Sequence, residues 1–148
     1  MTGGRAFRLE DLVSAGSVAV IGASQDPGRI GGRPLDFMMR AGFAGRVYPV
    51  NSKYTEVQGL RCYSDLEALP EPVDLAVLAV PARQVADMLL RCAARGTKGA
   101  IVYASGFAEV GPEGKALQEE VASVARRTGI RVIGPNCQGF VALRRRLT

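Results

Sequence analysis

A glycine-rich loop is the segment of this sequence whose residue types are best suited to binding a ligand. An apolar run at residues 18–21 breaks into a loop with four glycines between positions 22 and 32, and an amphipathic stretch follows at 34–41. Glycine lets the backbone approach a polyanion closely, and the first amide groups of a helix carry a partial positive charge. The pattern predicts a phosphate-binding loop at the start of a helix.

The residues after the second apolar run indicate which kind of phosphate compound would bind. Asn51 and Lys53 follow the run at residues 47–50. A dinucleotide site has Asp or Glu at this place, which accepts hydrogen bonds from the ribose hydroxyls. A cation there favours a phosphorylated ribose, which occurs in NADP at the 2′ position and in coenzyme A at the 3′ position. The first loop also has Ser24 where Gly-x-Gly-x-x-Gly has its second glycine, so a generic NAD site is disfavoured.

The apolar runs predict the elements that position these loops. Five runs are continuous rather than alternating, as expected for parallel strands that are covered on both faces, and they occupy residues 18–21, 47–50, 75–80, 100–103 and 132–133. Apolar residues at helical spacing separate the runs, and a first helix is predicted at 7–15. This alternation predicts the α/β class, with a Rossmann-like doubly wound parallel sheet in one domain over residues 1–148 and a core at about 12–143.

Two local features refine that fold. Gly111, Pro112 and Glu113 are typical of a helix start, because proline at the first helical position loses no hydrogen bond. Pro49 lies inside the second apolar run, so we expect that strand to be short or to carry its proline at the last ladder position. In an open parallel sheet the ligand binds beyond the carboxyl ends of the strands, where all five predicted loops contain small or polar residues.

Composition and charge narrow the function classes. No apolar run approaches the roughly 18 residues that span a bilayer, so we expect a soluble, cytoplasmic protein. The three cysteines have no histidine beside them, which argues against a zinc site and against a disulfide framework. The formal net charge of +5 suits an acidic ligand, although Arg144, Arg145 and Arg146 are interpreted as a basic tail or linker start at 144–148. Aromatic residues do not cluster with cations, so nucleic acid is not an expected partner.

Five motifs in order along the chain resemble the CoA-binding domain of ADP-forming acyl-CoA synthetases, a group that includes the alpha subunit of succinyl-CoA ligase. The motifs are VAVIGAS at 18–24, GRVYPVN at 45–51, LAVLAVPA at 75–82, SGFAE at 105–109 and GPNC at 134–137. The likeness extends from about residue 12 to residue 143. It implies coenzyme A as the ligand.

The resemblance also implies how coenzyme A would lie along the strand ends. The residues expected around the phosphates and the adenosine part, including the 3′-phosphate, are Gly22, Ala23, Ser24, Gly31, Val50, Asn51 and Lys53. Val80 and Pro81 are expected to line the wall of the site. Ser105, Gly106 and Phe107 are expected beside the pantetheine, and Asn136 and Cys137 toward the thiol end. Each has a plain structural alternative, such as Phe107 in the core or Asn136 in a turn. Gln138 stands where relatives often have proline or an apolar residue.

Such synthetases pass phosphate through a histidine on a following domain, and this chain has no histidine. The implied function is therefore to hold coenzyme A or acyl-CoA within an ADP-forming acyl-CoA synthetase. Ligase and ATP-grasp domains would follow or sit on a separate chain, and no catalytic residue or metal site is assigned here. One alternative is a stand-alone regulatory domain that senses coenzyme A or a nucleotide, and another is a fragment of an NADP-dependent oxidoreductase. No membrane partner is expected, and an oligomer is left open.

Overall fold

The computed structural model describes residues 8–147, in which five parallel strands form the central sheet. These strands are β1 (Ser17–Ile21), β2 (Arg46–Val50), β5 (Leu75–Leu78), β6 (Gly99–Val102) and β7 (Arg131–Ile133). A small antiparallel hairpin is formed by β3 (Glu56–Val57) and β4 (Leu60–Arg61). The order in the sheet is β2-β1-β5-β6-β7, and every neighbouring pair is parallel.

Four helices cover this sheet, which confirms the predicted fold class. They are α1 (Leu9–Val13), α2 (Arg33–Ala41), α3 (Ala82–Ala94) and α4 (Pro112–Thr128), with short 3-10 turns at Ala108–Val110 and Leu143–Arg145. Phe7 of the predicted first helix lies outside the described residues. No helix within residues 8–147 has the length and apolar content needed to cross a lipid bilayer.

The sheet separates two apolar cores, because successive strand residues point to opposite faces. Ala19 and Ile21 of β1 pack in the core under α3 and α4, which we call the α3–α4 core. Val18 and Val20 pack in the core under α1, α2 and the hairpin, which we call the α2 core. All five residues of β1 are buried. Burial on both faces explains why the strands have continuous apolar runs rather than alternating ones.

The β3–β4 hairpin is an element that the sequence analysis missed. Its strands have two residues each, which is too short for a period to be visible. Gln58 and Gly59 connect them with φ angles of 50° and 80°. Two successive positive φ angles are the signature of a tight two-residue hairpin turn.

Pro49 is the fourth of the five residues of β2, so of the two expected arrangements the structure shows a short strand and not a proline at the last ladder position. β2 is an edge strand, and the carbonyl oxygen of Pro49 accepts from the N–H of Tyr63, at 2.9 Å, on the side away from β1. A proline whose missing N–H faces outward removes no hydrogen bond from the ladder.

The basic C-terminal segment packs back on the domain. The arginines at 144–146 are exposed, as expected, but Leu147 is only 2% exposed and belongs to the α2 core. The N–H of Ala142 donates to the carbonyl oxygen of Leu147, at 2.8 Å. Up to Leu147, the segment is therefore part of the folded domain rather than a free tail.

Gly22 lies at the point where the chain order of the sheet reverses, between β1 and β5. Its φ angle is +87°, and a Cβ atom there would be 2.3 Å from the carbonyl oxygen of Ala79, just after β5. Such a contact is far inside van der Waals distance, so one of the two backbones would have to move. In sheets of this order the ligand crevice opens at the reversal point.

We therefore expect Gly22→Ala to lower the free energy of unfolding by about 2–4 kcal/mol, combining the strained φ with overpacking. The matched control is Gly129→Ala, where φ is +79° but nothing lies within 4 Å of the added Cβ. That variant should lose only about 1 kcal/mol. Urea unfolding of both proteins measures the difference, and equal losses would contradict a role for the Ala79 contact.

A second prediction concerns Cys92, which is fully buried in the α3–α4 core. Burial raises the pKa of its thiol to about 12. The unfolded chain then loses this proton at lower pH than the folded one, so ionisation destabilises the fold as the pH rises above about 9. Cys92→Ala removes the effect. The wild type should be the more stable protein in urea at pH 8, and a stability gap that does not narrow at pH 10 would contradict the prediction.

Candidate functional site

The loops that carry the predicted site residues lie side by side at the carboxyl end of the sheet. They follow β2, β1, β5, β6 and β7 in the spatial order of the strands. Neighbouring strands are about 4.8 Å apart, so the loops after β2 and β7 are separated by about 19 Å. This row is suited to an elongated ligand. The fourteen residues are thereby brought to one edge of the domain, although not all of them expose a side chain there.

The first loop differs from the prediction in how its amide groups are used. The N–H groups of Gly22 and Ala23 both donate to the carbonyl oxygen of Val50, at 3.0 and 3.2 Å. The N–H of Ser24 donates to the carbonyl oxygen of Gly31, at 3.1 Å. The amides of these three residues are therefore already bonded within the domain, whereas the sequence pattern predicted free amides at the start of the helix.

Close backbone contact fixes the shape of this loop. A Cβ atom on Gly31 would lie 2.0 Å from the carbonyl oxygen of Gly22, and one on Gly32 would lie 1.9 Å from that of Asp26. The loop is folded so tightly on itself that neither position has room for a side chain. The predicted glycine at 31 is required for packing in the loop.

Gln58, at the turn of the hairpin, holds the loop from outside and was missed by the sequence analysis. Its side-chain nitrogen donates to the carbonyl oxygens of Ser24 and Gly32, at 3.0 Å each. Its backbone N–H donates to Oε1 of Gln25, at 2.6 Å. No sequence signal pointed to this residue, because its role depends on the position of a hairpin that the pattern did not predict.

Asn51 and Lys53 lie on the loop after β2 and have different roles. Asn51 Nδ2 donates to the carbonyl oxygen of Ala23, at 2.9 Å, and its Oδ1 accepts from the N–H of Lys53, also at 2.9 Å. Asn51 thus joins the first two loops. The side chain of Lys53 is exposed, and within residues 8–147 it forms no ion pair.

A cavity of about 370 Å³ opens beside Lys53, and Arg61 of β4 also lines it. A larger concavity of about 840 Å³ runs along β7 between α1 and α4, and its lining includes none of the fourteen predicted residues. Of the residues predicted at the adenosine end, Lys53 alone lines the smaller cavity, and the larger opening lies elsewhere.

Phe107 is corrected by the structure, because its side chain is fully buried in the α3–α4 core. Only its backbone can face a ligand. The neighbouring Ser105 is exposed, and Gly106 is half-buried with a φ angle of +99°. The N–H of Gly106 donates to Oε1 of Glu109, at 2.6 Å, and this bond is the main reason that the pKa of Glu109 is lowered. Ionised Glu109 thus stabilises the conformation of the loop after β6.

The loops after β5 and β7 complete the row. Pro81 is exposed and Val80 is half-buried. Asn136 is exposed with a φ angle of 54°, and its N–H donates to the carbonyl oxygen of Ala104, at 2.9 Å. Cys137 is half-buried, and its Sγ accepts from the N–H of Gly139, at 3.3 Å. This thiol has no histidine to act as its base, since the sequence contains none.

Arg33, at the start of α2, connects the loop after β1 to the segment after β7 and was not predicted. Its guanidinium donates to the carbonyl oxygen of Gly28, at 3.1 Å, and to Oε1 of Gln138, at 3.3 Å. Both acceptors are neutral. The arrangement places a cation without a carboxylate partner, among the described residues, beside the first loop.

Comparison with known proteins bears on what this crevice binds. A family model described as a CoA binding domain matches residues 16–142. An ADP-forming acetate–CoA ligase II from Archaeoglobus fulgidus is 40% identical over 133 residues, which is 90% of this chain and 20% of the relative. The alpha subunit of an ADP-forming acetate–CoA ligase II from Pyrococcus furiosus is also 40% identical, over 90% of this chain and 29% of the subunit.

Solved structures give the same result. Acetyl-coenzyme A synthetase 1 of Ca. Korarchaeum cryptofilum, solved with phosphate and ADP, superposes with a TM-score of 0.87 at 41% identity, over 95% of this chain and 30% of that one. A Thermus thermophilus protein has a TM-score of 0.64 at 26% identity, over 86% of this chain and 88% of that one. The chain thus spans less than a third of the ligases that it matches. The family match covers most of the described residues and confirms the family predicted from the sequence: the chain belongs to the CoA-binding domain family.

Proposed function

We propose that this chain is the coenzyme A-holding part of an ADP-forming acyl-CoA ligase, which converts acyl-CoA, ADP and phosphate into the free acid, coenzyme A and ATP. The row of five loops supports this proposal most directly. It is elongated, begins beside two cations at the β2 end, and ends at Asn136 and Cys137 at the β7 end. Coenzyme A is also elongated and has the same order of charge, with a phosphorylated adenosine at one end and a neutral thiol at the other.

The chain's own contribution would be to orient the coenzyme. Holding a reacting group in place converts a bimolecular step into an effectively unimolecular one, which lowers the barrier without any group acting as acid or base. Lys53 and the cavity beside it would bind the 3′-phosphate, and Arg33 would face the diphosphate, because the N–H groups of Gly22, Ala23 and Ser24 are already bonded. The side chains of Val80 and Pro81 would line the wall for the pantetheine.

The chemical steps would belong to other parts of the ligase. The sequence has no histidine that could carry a phosphoryl group. The relatives named as ADP-forming ligases are more than three times as long as the stretch they share with this chain. We therefore place the phosphoryl transfer and the nucleotide site on further domains, whether on the same polypeptide or on a partner chain.

A regulatory domain that binds coenzyme A as a signal is the second candidate. The Thermus thermophilus protein supports it, because this chain covers 88% of that protein and the fold thus occurs on a chain of similar size. Both candidate functions have coenzyme A as the ligand, and they differ in whether ligase domains act on the bound coenzyme. Mixing the protein with acyl-CoA, ADP, phosphate and the remaining ligase domains would separate them, since only the ligase part supports formation of ATP.

The ligand itself is tested by replacing Lys53. We expect coenzyme A to bind to the wild type in calorimetry, and Lys53→Ala to weaken it by about tenfold, the value of one charge-assisted contact. Binding of dephospho-CoA, which lacks the 3′-phosphate, should change little. The control is Lys98→Ala, which removes an exposed lysine just before β6, at the opposite end of the sheet.

Two results would count against this assignment. An equal loss of affinity for coenzyme A and dephospho-CoA in Lys53→Ala would show that the lysine does not read the 3′-phosphate. Tight binding of NADPH to the wild type, followed by its fluorescence, would favour the oxidoreductase alternative instead.

A further inference from the structure

The cavity beside Lys53 has the lining of an anion site. Two cations face it, Lys53 from the loop after β2 and Arg61 from β4. Five other lining residues carry hydroxyl groups, namely Ser52, Tyr54, Thr55, Tyr63 and Ser64, and no carboxylate is among the lining residues. The hydroxyl of Ser64 donates to Oδ2 of the adjoining Asp65, at 3.4 Å. Burial raises the pKa of Cys62, which also lines the cavity, so that its thiol stays neutral at pH 7 and does not repel an anion. Hydroxyls and cations together are the donors that a phosphate group accepts from.

Arg61 has no acidic partner in the part of the chain that the structure describes. Its guanidinium lies 5.0 Å from the centre of the Tyr63 ring, a cation–π contact. Glu56 is its register partner across the hairpin, yet the two form no ion pair. Six other arginines in residues 8–147 do pair with carboxylates. Arg61 therefore brings to the cavity a positive charge that no carboxylate of the described residues pairs with.

The two cations are held on a connected framework. The N–H of Asn51 donates to the carbonyl oxygen of Tyr63, at 2.9 Å, and the N–H of Tyr63 donates to that of Pro49, also at 2.9 Å. The N–H of Cys62 donates to the carbonyl oxygen of Thr55, at 2.9 Å. These bonds join the residues next to Arg61 to the loop that carries Lys53. The relative backbone positions of Lys53 and Arg61 are thus set by these hydrogen bonds.

We propose that Arg61 is a second phosphate-binding residue, which acts with Lys53 to select a ligand that carries a phosphomonoester. This inference rests on the proposed function, in which that group is the 3′-phosphate of coenzyme A. The hairpin would then have two tasks: Gln58 at its turn holds the first loop, and Arg61 at its end binds the ligand.

The test compares coenzyme A with dephospho-CoA in calorimetry. Arg61→Ala should weaken coenzyme A by about tenfold and leave dephospho-CoA within about twofold, because only the former carries the phosphomonoester. Arg61→Lys should fall between, since lysine keeps the charge but loses the planar fork that matches phosphate. In the double variant with Lys53→Ala, coenzyme A should bind no better than dephospho-CoA.

The control is Arg127→Ala, which removes an exposed arginine near the end of α4, away from the cavity. Thermal unfolding of each variant checks that the domain is intact, and Arg61→Gln, which keeps a long polar side chain, serves if Arg61→Ala is unstable. Suppose that the wild type binds coenzyme A, and that the Arg61 variants either lose the same affinity for both ligands or lose affinity for neither. This inference is then wrong and the proposed function stands. If the wild type binds neither ligand, the proposed function is wrong and this inference falls with it.

Discussion

The crevice depends on how closely the backbone at Gly22 approaches the chain on either side of it. On one side the amides of Gly22 and Ala23 bond to the carbonyl oxygen of Val50. On the other, the carbonyl oxygen of Ala79 lies 2.3 Å from the place that a Cβ atom would take. The loops after β1, β2 and β5 are therefore locked to one another at the reversal point of the sheet. The positions of Asn51, Lys53 and Val80 follow from that packing.

This packing changes how a polyanion would be bound. In a phosphate-binding loop of the kind expected from the glycine pattern, free amides supply the positive charge. Here the amides of Gly22, Ala23 and Ser24 bond to carbonyl oxygens of the domain itself, and cationic side chains lie around the loop. Arg33 bonds to neutral oxygens beside the loop, and Lys53 and Arg61 line a cavity next to it. Salt screens the attraction between a phosphate and exposed charged side chains more than it screens the attraction between a phosphate and buried amide groups. We infer that affinity at this site depends on ionic strength.

The sequence was sufficient for the sheet and insufficient for the contacts across loops. Strands β1 and β5 were visible because burial on both faces makes each residue apolar, as in residues 18–21. The hairpin was invisible, since strands of two residues carry no period. Gln58 and Arg61 were missed for the same reason: their value lies in what a short hairpin brings them near. For Phe107 the sequence left the pantetheine wall and the core as alternatives, because motif position alone does not say which way a side chain points; the structure buries the side chain in the core.

The separation of the two cores has a consequence for how this domain can change. Neighbouring residues on one strand, such as Ala19 and Val20, belong to cores that share no side chains. The first loop, α2 and the hairpin rest on the α2 core, to which Ala23, Leu35 and Val57 contribute. Helices α3 and α4 rest on the other. The sheet thus acts as a partition between two sets of side chains. Positions such as Val121 and Val124 on α4 can be repacked for thermal tolerance without touching the α2 core, on which the first loop and the hairpin rest.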